Sequence, residues 1–187
     1  MELHYGLPTL DPARKRVVSV GSFDGVHLGH QALLQTLCEV ARQEEAEAVV
    51  VTFEPHPRIA LGRGEGFQLL TETAEKATLM ATYGVDRLVV LPFDQTLATR
   101  SGEDFAREIL QQHLHAKVLV AGYNHRFGHD RLSATALSIE GLSVIEVGAC
   151  EREGVRISST LIRNLIAEGT TAAAERFLGH SIQLLQP

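Results

Sequence analysis

The sequence predicts an α/β fold, a parallel sheet of about five strands with helices on both faces. Two observations carry this expectation. Five short runs are almost continuously apolar and rich in β-branched residues, the pattern of parallel strands covered on both faces. They alternate with longer segments whose apolar residues recur at helical spacing, and such alternation builds a parallel sheet with right-handed crossovers.

The strands are expected at 16–20 ("RVVSV"), 48–53 ("AVVVTF"), 87–91 ("RLVVL"), 117–122 ("KVLVAG") and 143–147 ("SVIEV"). A first helix starts near Gly29 and carries Leu33, Leu34, Leu37 and Ala41 on one face; Cys38 shares that spacing and reads as core. A second covers 73–83 and stops at Gly84. A third begins at Ser101, with Asp104 three residues on in a variant of the capping box, and runs through Phe105, Ile109 and Leu110. Two short helices separated by glycine form a C-terminal segment over about 158–179, and 61–68 ("LGRGEGFQ") is a glycine-rich loop.

Bulk properties narrow the function classes. A chain of 187 residues, 44% hydrophobic and 21% charged, is expected to form a single domain over 1–187 with a real core. The net charge of −6 points away from a broad nucleic-acid footprint, although local donors on an acidic protein still bind a small anion. Two cysteines without metal-ligand spacing fit a reducing compartment. The start "MELHYGLPTL" lacks the pattern of a secretory signal, and no run approaches the ~18 apolar residues of a membrane span. The expectation is a cytoplasmic protein without nucleic-acid or membrane partners.

Ligands of an open parallel sheet bind beyond the carboxyl ends of the strands, where the strand order reverses. The segment after the first strand, "GSFDGVHLGHQ", is the richest of these. Gly21 and Gly25 permit a tight turn, and the following helix offers free N–H groups and the positive end of its dipole to an anion. His27 and His30 stand three apart near that helix start and can reach one phosphate chain, while Gly29 removes a crowding side chain. A plain turn with two exposed histidines has the same HxxH spacing; the glycines behind a buried strand favour phosphate. A zinc site wants a third ligand, so no resident metal is expected.

Five blocks in order resemble one family: "GSFDGVHLGHQ", "VTFEPHPR", "LLTETAEKATLM" with "YGVDRLVVLPFD", "GYNHRFG" and "GVRISSTLIRNLIAEG". Together they resemble the adenylyltransferase module of the prokaryotic FAD synthetases (bifunctional riboflavin kinase/FMN adenylyltransferases), within the HxGH nucleotidyltransferase superfamily. The resemblance implies a Rossmann-like nucleotidyltransferase fold and transfer of AMP from ATP to FMN, giving FAD and pyrophosphate, with Mg²⁺ accompanying ATP. It implies His27, His30 and Arg163 as catalytic, and Gly21, Ser22, Phe23, Asp24, Gly29, Ser158, Ser159 and Thr160 as the ATP set. Glu54, His56, Arg58, Asn124, Arg126 and Phe127 are implied on the flavin side, Asn124 standing where Asp is commoner. In the family a riboflavin kinase domain follows the region matched by "FLGHSIQLLQP", where this chain stops. A stand-alone or truncated adenylyltransferase is therefore expected, with a separate riboflavin kinase supplying FMN. Transfer of another nucleotide or to another acceptor, and flavin-nucleotide binding without turnover, are the alternatives.

Overall fold

The computed structural model describes residues 1–182, so the last five residues of "FLGHSIQLLQP" lie outside it. The chain runs β1 (Glu2–Tyr5), β2 (Arg16–Val20), α1 (Leu28–Gln43), β3 (Glu47–Glu54), α2 (Pro57–Ala60), α3 (Thr73–Thr82), β4 (Arg87–Pro92) and α4 (Gln95–Ala98). It continues through α5 (Gly102–Asp104), a π-helix (Phe105–His113), β5 (Ala116–Gly122), β6 (Arg126–Phe127), β7 (Leu132–Ser133) and β8 (Ser143–Val147). A short hairpin of β9 (Glu151–Arg152) and β10 (Val155–Arg156) precedes α6 (Ser159–Ala167) and α7 (Thr171–Leu178).

Six strands form one sheet in the order β1-β4-β3-β2-β5-β8, and every pair is parallel. The chain moves outward from β2 through β3 to β4, then crosses back to place β5 on the other side of β2. The order therefore reverses between β2 and β5, which opens a crevice at their carboxyl ends.

The continuous apolar runs have the expected cause. Val18, Val20, Val49, Val51, Val89, Leu91 and Leu119 pack on one face. Val17, Ala48, Val50, Leu88, Val90, Val118 and Val120 pack on the other, against Leu34, Leu37 and Cys38 of α1. Side chains alternate across a strand, so burial of both faces demands an unbroken apolar string.

Two features differ from the expectation. β1 is a sixth strand, paired in register with β4 from Glu2↔Arg87 to Tyr5↔Val90. Its four residues sit largely exposed at the sheet edge and carry no apolar run. The third helix is capped by Ser101 as expected, its Oγ accepting from the Asp104 N–H at 3.0 Å. After Asp104 it winds as a π-helix, closing with Leu114 N–H to the Ile109 carbonyl at 3.0 Å. The wider turn keeps Phe105, Ile109, Leu110 and Leu114 all against the sheet.

The β6–β7 hairpin is pinned to this helix at Gly128, which bridges Ser101. Gly128 has φ +67°, and a Cβ there would lie 2.1 Å from Gly102 N and 2.5 Å from Ser101 C. Backbone cannot move away as a side chain can. Gly128→Ala is expected to cost about 3 kcal/mol through left-handed strain plus overpacking. A thermal melt checks it, and an unchanged Tm contradicts the pinned geometry.

Candidate active site

The loop between β2 and α1 is held under strain. Phe23 (φ 47°) and Val26 (φ 39°) are left-handed without being glycines, and both are buried. Such conformations persist only where packing over-determines them, as at ligand-binding loops. The loop presents α1 with His27 as its N-cap, whose Nδ1 accepts from the His30 N–H at 3.3 Å.

The two imidazoles stack, with ring centroids 3.7 Å apart and planes 13° from parallel. Phe23 also packs on His30, with centroids 5.1 Å apart and planes tilted by 53°. Gly29 makes room for this pair: a Cβ there would stand 3.2 Å from both Cε1 and Nδ1 of His27. The His30 Nδ1 is buried without a hydrogen-bond partner, a vacancy in hydrogen bonding that a polar ligand relieves. Burial lowers the His27 pKa to about 4, against smaller raising effects of its own backbone and of Asp24. Burial, then the neighbouring His27 and Lys76, put His30 well below the ordinary value. Both rings are therefore neutral near pH 7, each with one N–H to donate.

His56 and His125 are also lowered to about 4, burial being the largest cause for each. A histidine depressed in the folded state leaves the unfolded chain with more bound protons between about pH 4 and 6.5. Folding stability therefore rises with pH across that window and is lost on acidification. Tm is expected to fall between pH 7 and pH 5; a flat profile there contradicts the buried, neutral histidines.

His27, His30 and His125 line a cleft of about 230 Å³ at the reversal of strand order. Gly21, Ser22, Phe23, His27, Gly29 and His30 form one wall, and Tyr123, Asn124 and His125 beyond β5 form the opposite one. Arg156 lies over the Tyr123 ring at 4.6 Å and carries the β9–β10 hairpin to the rim.

Asp24 ties this cleft to the C-terminal helices. It is 1% exposed. Its Oδ1 accepts from the N–H groups of Leu70 (2.8 Å) and Thr71 (3.1 Å), and its Oδ2 accepts from Arg163 Nη2. Its backbone carbonyl accepts from Ser159 Oγ at 2.8 Å. Ser158 caps α6, its Oγ accepting from the Leu161 N–H at 3.2 Å. Arg163 also donates to the Gln68 carbonyl at 2.8 Å and lies over the Phe67 ring at 4.1 Å.

A second groove opens on the far side of this knot, lined among others by Arg58, Phe67, Leu70, Thr160 and Arg163. Arg58 stacks on Phe67 at 4.9 Å, and His56 packs against the same ring at 4.7 Å. Glu54 Oε2 accepts from Thr73 Oγ at 2.7 Å, which joins the end of β3 to α3.

The expected site residues thus divide. Gly21, Ser22, Phe23, His27, Gly29 and His30 share the cleft. His56 and Arg58 gather around Phe67, where Thr160 and Arg163 line the second groove. Asn124, expected on the flavin side, lines the cleft together with Gly21 to Phe23. Asp24, expected on ATP, is turned inward with both carboxylate oxygens engaged by the protein. Phe127 is 3% exposed in the core beneath the π-helix, 6.1 Å from Phe105, because β6 folds its ring inward. Arg126, on the opposite face of that strand, is exposed and donates to the His125 carbonyl. Sequence reasoning missed Tyr123, His125 and Phe67. For Phe67 the signal was an aromatic ring inside a glycine-rich polar loop.

The model of the family described as FAD synthetase matches residues 10–161. The chain is 35% identical to the bifunctional riboflavin kinase/FMN adenylyltransferase of Escherichia coli (strain K12), covering 96% of this chain and 60% of that protein. It is 38% identical to the putative bifunctional riboflavin kinase/FMN adenylyltransferase of Geobacillus thermodenitrificans (strain NG80-2), covering 87% and 89%. A solved structure described as a macrolide-efflux protein from Streptococcus pneumoniae superposes with TM-score 0.86 at 30% identity, covering 97% of this chain and 72% of that one. The chain spans about 60% of the length of the Escherichia coli relative.

Proposed function

Because the chain belongs to the FAD synthetase family, we propose that it transfers the adenylyl group of ATP to FMN, releasing pyrophosphate and forming FAD. The observation that carries this reading is the neutral, stacked His27–His30 pair at the start of α1, in the crevice where the strand order reverses. That crevice is a nucleotide site by its position, and the helix N-terminus favours phosphate.

In this reading ATP occupies the cleft between Gly21–Phe23 and Tyr123–His125, with its phosphates over the α1 N-terminus. An oxygen of the FMN phosphate attacks the α-phosphorus, a new P–O bond forms, and the bond to the β-phosphate bridging oxygen breaks. An ionised phosphate needs no general base, so the residues supply alignment and charge stabilisation. His27 and His30 donate to the phosphate oxygens as charge builds, and Arg163, oriented by Asp24, offers its remaining donors to the leaving pyrophosphate. The loop from Glu54 to Arg58 is assigned to the flavin, Arg58 being a guanidinium suited to phosphate.

Mg²⁺ enters this proposal only as the counter-ion that ATP brings. The buried carboxylate of the cradle, Asp24, has both oxygens engaged and does not fit as its ligand. A riboflavin kinase activity has to supply the FMN. We place the reaction in the cytoplasm, where ATP is abundant; no helix among the described residues is long and apolar enough to cross a membrane.

The deciding experiment incubates the purified chain with ATP, Mg²⁺ and FMN and separates the flavins by chromatography, with CTP and riboflavin as parallel substrates. FAD from ATP and FMN alone is the expected result. Flavin nucleotide retained without FAD formation would replace this reading with a binding protein.

A further inference from the structure

Among the described residues, the cleft is lined by Phe23 and His27 but not by the three residues between them. Asp24, Gly25 and Val26 form a dip away from the cleft, and the dip is strained. Gly25 has φ 86°, and Phe23 and Val26 are left-handed as well. Each of the three carbonyls in the dip accepts from a side chain. The Asp24 carbonyl accepts from Ser159 Oγ at 2.8 Å and the Val26 carbonyl from Gln31 Nε2 at 2.9 Å. The Gly25 carbonyl accepts from His180 Nε2 at 2.8 Å, while its N–H donates to Thr71 Oγ1 at 2.8 Å.

Two of these donors come from the C-terminal helices: Ser159 opens α6, and His180 follows α7. The end of α7 is built to bring His180 there. Gln31 Nε2 also donates to the Leu178 carbonyl at 2.7 Å, so one amide joins the loop to the last residue of α7. Gly179 then turns left-handed at φ 79°. A Cβ on it would stand 2.6 Å from Leu28 Cδ2 and 3.0 Å from the Gln31 amide, so glycine lets α7 end against α1.

We infer that His180 is a positioning residue for His27 and His30. By holding the Gly25 carbonyl it fixes the strained dip, and with it the residue that caps α1. Glycine rotates readily, so the Gly25–Val26 peptide stays in place only while its carbonyl is held. Release would let Val26 leave the left-handed region, and Val26 is joined directly to His27. A shift of that residue moves the imidazole pair and the free N–H groups of the helix start away from the phosphates. The inference rests on the adenylyltransferase reading and adds to it a group 155 residues along the chain from Gly25.

The test compares the full chain with His180→Ala and His180→Gln. It records kcat and KM for ATP in FAD formation, the Tm, and amide hydrogen exchange over residues 23–30. His180→Ala is expected to lower kcat about 10-fold or more and to change the KM for ATP less than about 3-fold. Exchange should quicken in 23–30 alone, and the Tm should fall by no more than about 4 °C, the effect of one lost hydrogen bond. His180→Gln, whose amide N–H can replace Nε2, should recover most of both kcat and protection. A His180→Ala chain with wild-type kcat overturns the inference, and so does a His180→Gln chain that recovers neither quantity. Faster exchange throughout the chain with a much larger fall in Tm also overturns it, since the role would then be structural. If the wild-type chain makes no FAD, exchange decides alone. Loosening confined to 23–30 keeps the anchor and removes only the catalytic reading, whereas unchanged exchange removes both.

Discussion

His30→Ala is expected to slow FAD formation about 10²–10³-fold, the usual consequence of removing one preorganised donor to developing charge. The ring is packed against His27 at 3.7 Å and Phe23 at 5.1 Å, so the wild-type donor does not have to be ordered during the reaction. Being neutral at pH 7, it donates without first acquiring a proton. The loss should appear in kcat more than in the KM for ATP, because the ring contributes most when charge accumulates on the phosphate oxygens. Steady-state kinetics on a variant with a native melt checks this. A variant with full kcat would move the catalytic role away from His30.

Asp24→Ala should have the larger effect on stability. The substitution strips two backbone N–H groups and the Arg163 guanidinium of their acceptor at a position 1% exposed. Loss of one partner of a buried ion pair costs about 3–5 kcal/mol; Arg163 remains partly solvated, so the lower end is expected. For a chain of this size that corresponds to a Tm drop on the order of 10 °C. Asp24→Asn keeps one acceptor for Leu70 and Thr71 and should lose less. Both variants release Arg163, so both should also raise the KM for ATP. A variant with native Tm but weakened ATP binding would instead return Asp24 to direct contact with the nucleotide.

Much of the architecture was legible because both faces of the sheet are covered. Val17 to Val20, Ala48 to Val51 and Leu88 to Leu91 carry no polar side chain except Ser19, itself buried, so local composition and tertiary burial point the same way. β1 was not legible, since an exposed edge strand needs only backbone pairing to β4 and its side chains report nothing about it. The π-winding after Asp104 was hidden for a related reason: side-chain types do not report whether the backbone bonds close at i+4 or i+5, and packing against the sheet selects between them.

The candidate site divides along the same line. His27, Gly29 and His30 belong to one short stretch, and the chemistry of a helix start after a strand is local, so the expectation of a phosphate site there needs only the sequence. The placements of Asp24, Asn124 and Phe127 depend on contacts far along the chain: Asp24 meets Arg163, 139 residues away. Only the tertiary structure decided that Asp24 turns inward, that Asn124 faces the cleft, and that Phe127 enters the core. Local pattern specifies which groups a segment carries; the crossover that reverses the strand order specifies which of them meet.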